Sequence, residues 1–210
     1  MSERSDKHIF EQIIDLNNLF SAWKKFKLGK KDNADVQEFE FNLEDNLFEL
    51  HRQLAEMTYK HNSYTSFYIH DPKIRHIHKA AVRDRVLHHA VFKVLNLIFE
   101  PTFIANSFSC RIGKGTHKGV AALEKAARKV SHNYSGPCFA LKCDIRKFFD
   151  SVDQRILKNI LARRIKDRKA MWLCEEIIDS FQLKTPRERE RVNVVFRSVI
   201  LPPSFSLISI

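Results

Sequence analysis

Leu141-Lys142-Cys143-Asp144-Ile145-Arg146-Lys147-Phe148-Phe149-Asp150-Ser151-Val152-Asp153 is the stretch whose reading decides the fold. It reads as a short buried strand that delivers one carboxylate, Asp144, and then turns into an amphipathic helix with two adjacent phenylalanines. Phe139, Leu141 and Cys143 alternate with Ala140, Lys142 and Asp144, the period of a strand. A metal-binding carboxylate at a strand end has a rigid backbone beneath it and an open face above. Mg²⁺ takes oxygen ligands, few of them from protein, so Asp144 and the Ile145 carbonyl can share an ion completed by substrate phosphates. The same residues fit Asp144 as a cap for the following helix, and the stretch alone does not choose. Two-metal phosphoryl transfer normally uses several carboxylates, and no Asp-Asp pair occurs in the 210 residues.

Upstream, Lys73, Arg75 and Arg111 fall on two expected strand segments. Basic residues on a β-platform can hold a triphosphate while a metal neutralises it from below. Arginine suits phosphate because its fork is bidentate and permanently charged. The alternative is a solvated basic face. Lys114 lies in Gly113-Lys114-Gly115-Thr116, which resembles a phosphate-cradling loop but lacks P-loop spacing. His76/His78 and His88/His89 have no third ligand at a useful spacing, so they read as packing or surface residues.

The charge points the same way. Lys plus Arg is 36 against 25 acidic residues, a net charge of +11. A balance of that size attracts polyanions, and nucleic acid is the commonest reason for it. Hydrophobic residues make up 44%, and Phe reaches 17 against 5 Gly, so the composition is that of a packed, helix-rich globular chain. The four cysteines show no CxxC spacing, which argues against zinc or a disulfide framework and for a reducing cytoplasm. No signal peptide or apolar membrane span is expected.

Helical spacing covers residues 8–28 and 34–58, separated by Gly29-Lys30-Lys31-Asp32-Asn33. Residues 64–79 switch to a β-hairpin with Asp71-Pro72 near its turn. A helix over 80–99 ends at Pro101. Residues 106–112 predict a short strand. Thr116 is placed to cap a helix from His117 to Ser131, and further helices follow at about 153–165 and 169–181.

Several of these segments together resemble one family. In order they are Asp71-Pro72-Lys73-Ile74-Arg75-His76-Ile77-His78, Arg83-Asp84-Arg85-Val86-Leu87-His88-His89-Ala90, Ile98-Phe99-Glu100-Pro101-Thr102-Phe103-Ile104, and Ser107 to His117. The Asp144 strand with Phe148-Phe149-Asp150-Ser151-Val152-Asp153 completes the series. They look like the bacterial RNA-directed DNA polymerases (reverse transcriptases) of the branch similar to group II intron and diversity-generating retroelement enzymes, over roughly residues 10–182 by motif context.

The resemblance implies an α+β, helix-rich, right-hand polymerase from which this chain supplies the fingers and part of the palm. Residues 1–60 would be an N-terminal helical extension, 61–138 the fingers, and 139–183 a partial palm. Asp144 would be the first catalytic aspartate and, with the Ile145 carbonyl, a Mg²⁺ ligand. Lys73, Arg75 and Arg111 would grip the incoming dNTP. Phe149, or its neighbour Phe148, would exclude a ribose 2′-OH. Gln154 departs from the His this branch often carries there. The implied partners are an RNA template and a DNA primer, or an RNA–DNA hybrid.

The family's Gly-Leu-Pro, Thr-Ser-Gln, Asn-Ile-Tyr and Tyr-x-Asp-Asp segments do not appear. In a shifted reading frame, codons permitted for Val194–Arg197, Ile200–Ser204 and Leu207–Ile210 spell the first three in order. The expectation is a frameshifted, non-native tail over 184–210 and a chain inactive alone. A non-catalytic RNA-binding module and one half of a split polymerase, completed by a separate palm-thumb chain, are the alternatives.

Overall fold

The structure, a computed structural model, describes residues 8–70, 74–109, 111–145 and 152–181. Lys73, Phe148, Phe149, the Asp71-Pro72 turn and the 184–210 tail lie outside them. The described residues form a helix-rich α+β arrangement with one small sheet.

The first apolar stretch forms α1 (Ile9–Ile14) and α2 (Leu16–Lys27) instead of one helix. Asp15 divides them, because its carboxylate accepts the Asn18 N–H at 3.1 Å and so caps α2. The second stretch is likewise split at Asn42 into α3 (Ala34–Phe41) and α4 (Leu43–Ala55). In both, apolar spacing runs through the break, so periodicity alone reads one helix.

The hairpin appears where expected. β1 (Thr65–His70) pairs antiparallel with β2 (Ile74–Lys79), with Tyr68 opposite His76 and Ile69 opposite Arg75. The long helix α5 (Val82–Phe99) follows and passes into a 3-10 turn at Glu100–Thr102, where Pro101 lies.

Helix α5 is the centre of the core and packs on α1, α2, α3 and α4. Val86, Leu87, Ala90 and Val91 are buried against Leu19, Trp23 and Leu50. Each fully buried aliphatic side chain stabilises by roughly 1.5–3 kcal/mol relative to exposure. Asn18 crosses this core and donates to the carbonyls of Ile13 at 3.0 Å and Ala90 at 3.3 Å. Helices α7 (Gln154–Arg164) and α8 (Arg168–Asp179) pack on each other, and α8 reaches α1. The Gln154 amide donates to the Ile178 and Phe181 carbonyls, fixing the start of α7 to the end of α8.

Three local expectations are corrected. The described residues of 106–112 form no strand. Ser107, Lys114 and Gly115 donate to Ile104, Arg111 and Phe108 carbonyls, so local turns use backbone groups that a ladder would need. Thr116 is not a cap. It is the first residue of α6 (Thr116–Val130), and Gly115 at φ +108° takes the cap position without a side-chain bond.

The expected buried strand before Asp144 has no strand pairing among the described residues. Phe139 and Leu141 are 92% and 91% exposed. Alternation supplies a two-sided segment, but a strand also requires a hydrogen-bonded neighbour.

Candidate nucleic-acid interface

Arg75 lies on β2, exposed, on the hairpin face that also carries Phe67, Ile69, Ile77 and Lys79. Lys73 belongs to the same expected constellation but lies outside the described residues. Half-exposed Phe67 and Ile69 beside Arg75 make this an apolar face edged by cations.

Arg111 is held differently. Its guanidinium donates to Glu100 Oε1 at 2.8 Å and to the carbonyls of Ile104 and Ser107 at 2.9 and 3.1 Å. It is turned into its own loop, over the Phe103 ring. Lys114 does not cradle an anion here, because its ammonium donates to the Ala105 carbonyl at 2.8 Å.

Asp144 and Ile145 are exposed on this unpaired segment. Among the described residues the donor set of this segment is one carboxylate and a backbone carbonyl. That can hold part of a Mg²⁺ shell but does not make a two-metal centre by itself. Among the described residues no group of three or more His, Cys, Asp or Glu is placed to hold a metal ion.

At the base of the hairpin lies a polar network that sequence reasoning missed. Asp84, on the first turn of α5, is fully buried. It accepts the Tyr59 hydroxyl at 2.9 Å, the Asn62 N–H at 3.0 Å and Arg83 Nε at 3.2 Å. These bonds fix the chain that leads into β1. Burial, then the Asp84 charge, pushes the Tyr59 phenol far above its ordinary range, so it stays a donor.

His61 continues the network. Its Nδ1 lies 2.6 Å from the Asn62 carbonyl, which only accepts, so Nδ1 carries the proton. Nε2 is then an acceptor, and His88 Nε2 at 3.2 Å must donate to it. Burial first, and His61 second, depresses the His88 pKa to about 3, which agrees with a neutral His88 imidazole. Ser180 gives its proton to the Ile177 carbonyl, so Tyr64 donates to Ser180 Oγ at 3.0 Å. Burial raises the Tyr64 phenol to about 12.

Ring contacts run outward from this network. His61 stacks on His88 and Tyr64, Tyr64 meets Phe181, Phe181 meets His78, and His76 stacks on Tyr68. The packing reading of His76, His78 and His88 holds.

Asp35 ties α3 to the hairpin through Lys79 at 2.8 Å and to α5 through Arg85 at 2.5 Å. Burial opposes its ionisation, yet Lys79 and Arg85 together hold its carboxyl below the usual range. A cleft of about 480 Å³ opens beside it, lined in part by Glu38, Asn42, Asn46, Lys79 and Arg83.

No family model matches the chain. Over 93 residues, 44% of this chain, it is 30% identical to a protein named nuclear intron maturase 1, mitochondrial, of Arabidopsis thaliana. It is 28% identical over 105 residues to an uncharacterized 91 kDa protein in the cob intron of Schizosaccharomyces pombe. It is also 19% identical over 119 residues, 57% of the chain, to the uncharacterized mitochondrial protein ymf11 of Marchantia polymorpha. The matches span only 12%, 12% and 15% of those proteins. None of the three organisms is a bacterium, so the similarity is to intron-maturase-related proteins and not to the bacterial branch in particular.

Proposed function

We propose that this chain is the fingers-side part of an intron-associated, reverse-transcriptase-like protein and that its own activity is RNA binding. The observation that carries the reading is the similarity to a protein named an intron maturase. The charge of +11 supports it, because phosphate contacts dominate nucleic-acid affinity. The exposed cation-edged face of the hairpin supports it as well.

In this reading residues 1–60 are the helical extension, 61–138 the fingers and 139–183 the start of a palm. Asp144 and the Ile145 carbonyl would hold Mg²⁺, which supplies charge neutralisation at a triphosphate. Lys73, Arg75 and Arg111 would meet the phosphates of a dNTP, with Arg111 first leaving Glu100. Phe148 and Phe149 would screen the sugar. One carboxylate is too few for nucleotidyl transfer, so primer extension belongs to a longer or completed assembly. Its setting is a reducing compartment, either the cytoplasm expected from the cysteines or the organelle named for two of the relatives. Among the described residues no helix is long and apolar enough to cross a membrane.

The test is binding of a structured intron RNA across a salt series, beside an RNA-templated primer-extension assay. Salt-sensitive RNA binding that Asp144→Ala leaves intact, without dNTP incorporation, is expected. Robust incorporation abolished by Asp144→Ala would replace this reading with that of a complete polymerase. Absence of any salt-sensitive RNA binding would remove the reading.

A further inference from the structure

Several cations of this chain are held by acids. Lys79 and Arg85 pair with Asp35, Arg111 with Glu100, Lys60 with Glu176, Arg128 with Glu124 and Lys158 with Asp179. Others are exposed singly or in twos, and the turn joining α7 to α8 gathers five within seven residues. Arg163, Arg164, Lys166, Arg168 and Lys169 are all exposed there, and none makes an ion pair among the described residues.

The single acid in that run, Asp167, makes no ion pair with any of them. Its Oδ1 accepts the N–H groups of Lys169 and Ala170 at 3.0 and 3.2 Å, and its Oδ2 accepts the Phe10 N–H of α1 at 2.8 Å. Three of its roughly four acceptor sites face backbone N–H groups.

Placement adds a second argument. Arg163 and Arg164 sit in the last turn of α7, where the helix dipole welcomes cations. Arg168 and Lys169 open α8, where the dipole opposes them, and that first turn holds no acid. A turn optimised for stability alone would carry Asp or Glu at those positions. Arg168 and Lys169 therefore hold positive charge against a local cost.

We propose that the α7–α8 turn is a docking site for the phosphate backbone of folded RNA, separate from the hairpin face. It rests on the RNA-binding reading above and adds a second point of attachment on α7 and α8. The ligand chemistry is closely spaced phosphodiesters, which bidentate guanidinium forks suit. The turn presents no exposed aromatic side chain for base stacking, so the site reads backbone and not sequence.

The experiment compares two variants of the full chain with equal loss of charge. One carries Arg163→Gln, Arg164→Gln, Arg168→Glu and Lys169→Glu; the control carries Lys24→Gln, Lys25→Gln, Lys118→Glu and Lys125→Glu. Each binds an RNA stem-loop across a salt series, with phosphatidylserine vesicles as a competing polyanion. The turn variant is expected to lose about 10-fold or more in affinity and about 3 in the log–log salt slope. The control should lose clearly less, and vesicles should not displace the RNA. Equal losses in both variants, or no loss in the turn variant, overturn the docking site while leaving RNA binding itself standing. Vesicles that displace the RNA also overturn it. No RNA binding by the parent chain overturns the functional reading and this one with it. A second measurement needs no variant: RNA should protect Lys166 and Lys169 of the unaltered chain from amine acetylation, and equal labelling with and without RNA overturns the site.

Discussion

Tyr59 and Asp84 share a 2.9 Å hydrogen bond while both are fully sealed from solvent. The bond anchors the segment that enters the hairpin to the first turn of α5. Removing the carboxylate strands the Tyr59 hydroxyl and the Asn62 N–H, while Arg83 keeps Gln53 and the Lys60 carbonyl. Asp84→Ala should therefore destabilise by about 3–5 kcal/mol, the range for breaking one side of a buried charged network. Tyr59→Phe should cost only about 1 kcal/mol, because Asp84 keeps its other donors. Urea unfolding of both variants checks the ratio. Similar costs would show that Tyr59, and not the carboxylate, organises the site.

The His61–His88 pair predicts an acid-side loss of stability. His88 has a folded pKa near 3 against about 6.5 when unfolded. The folded state thus binds fewer protons than the unfolded state between these values. Its contribution is fully present above about pH 6.5 and falls as pH drops toward 3, by about 1.4 kcal/mol per pH unit at most. His88→Gln should flatten that slope relative to the parent. The slope difference between parent and variant is the readout, because carboxylates titrate in both. Equal slopes would mean that His88 is hydrated when folded.

Much of the fold was legible from spacing. Helices at 82–99 and 154–164 and the hairpin over 65–79 follow directly from apolar period and turn chemistry. The breaks at Asp15 and Asn42 were not legible, because Ile13, Leu16, Leu19 and Trp23 continue one stripe across the first. The network around Asp84 was hidden for another reason. Its partners lie 22–27 residues apart and meet only through tertiary packing. One signal was present: Asp84 precedes Leu87 and Val91 at helical spacing, a carboxylate on a core face. Asp144 marks the opposite limit. Alternation made its segment look like a buried strand, but burial depends on neighbours that period cannot supply.

Asp35 makes a prediction about the hairpin. Its depressed pKa means that its ion pairs contribute stability above the unfolded value of 3.8 and lose it as pH falls through the lower folded value. Asp35→Asn releases Lys79 at the end of β2 and Arg85 on α5. Amide exchange should accelerate in residues 74–79 at neutral pH, with little change in α8. The global cost should stay near 1 kcal/mol, since these groups are partly solvated. Uniform acceleration across the chain would place Asp35 in the global core instead.

Asp167 offers the sharpest test of how the helices are tied together, because one carboxylate serves two helix starts. Its Oδ1 caps α8 and its Oδ2 holds the first turn of α1. Asp153 makes the simpler cap, accepting from Arg155 and Ile156 at the start of α7 alone. An ordinary cap is worth about 1 kcal/mol. Asp167→Ala should cost about twice that, and Asp153→Ala about the ordinary amount. Asp167 also opposes the dipole penalty of Arg168 and Lys169, so Arg168→Glu with Lys169→Glu should recover part of the loss in the Asp167→Ala background. Chemical denaturation of the three variants measures both effects, and an Asp167→Ala cost no larger than that of Asp153→Ala would mean the α1 contact contributes nothing.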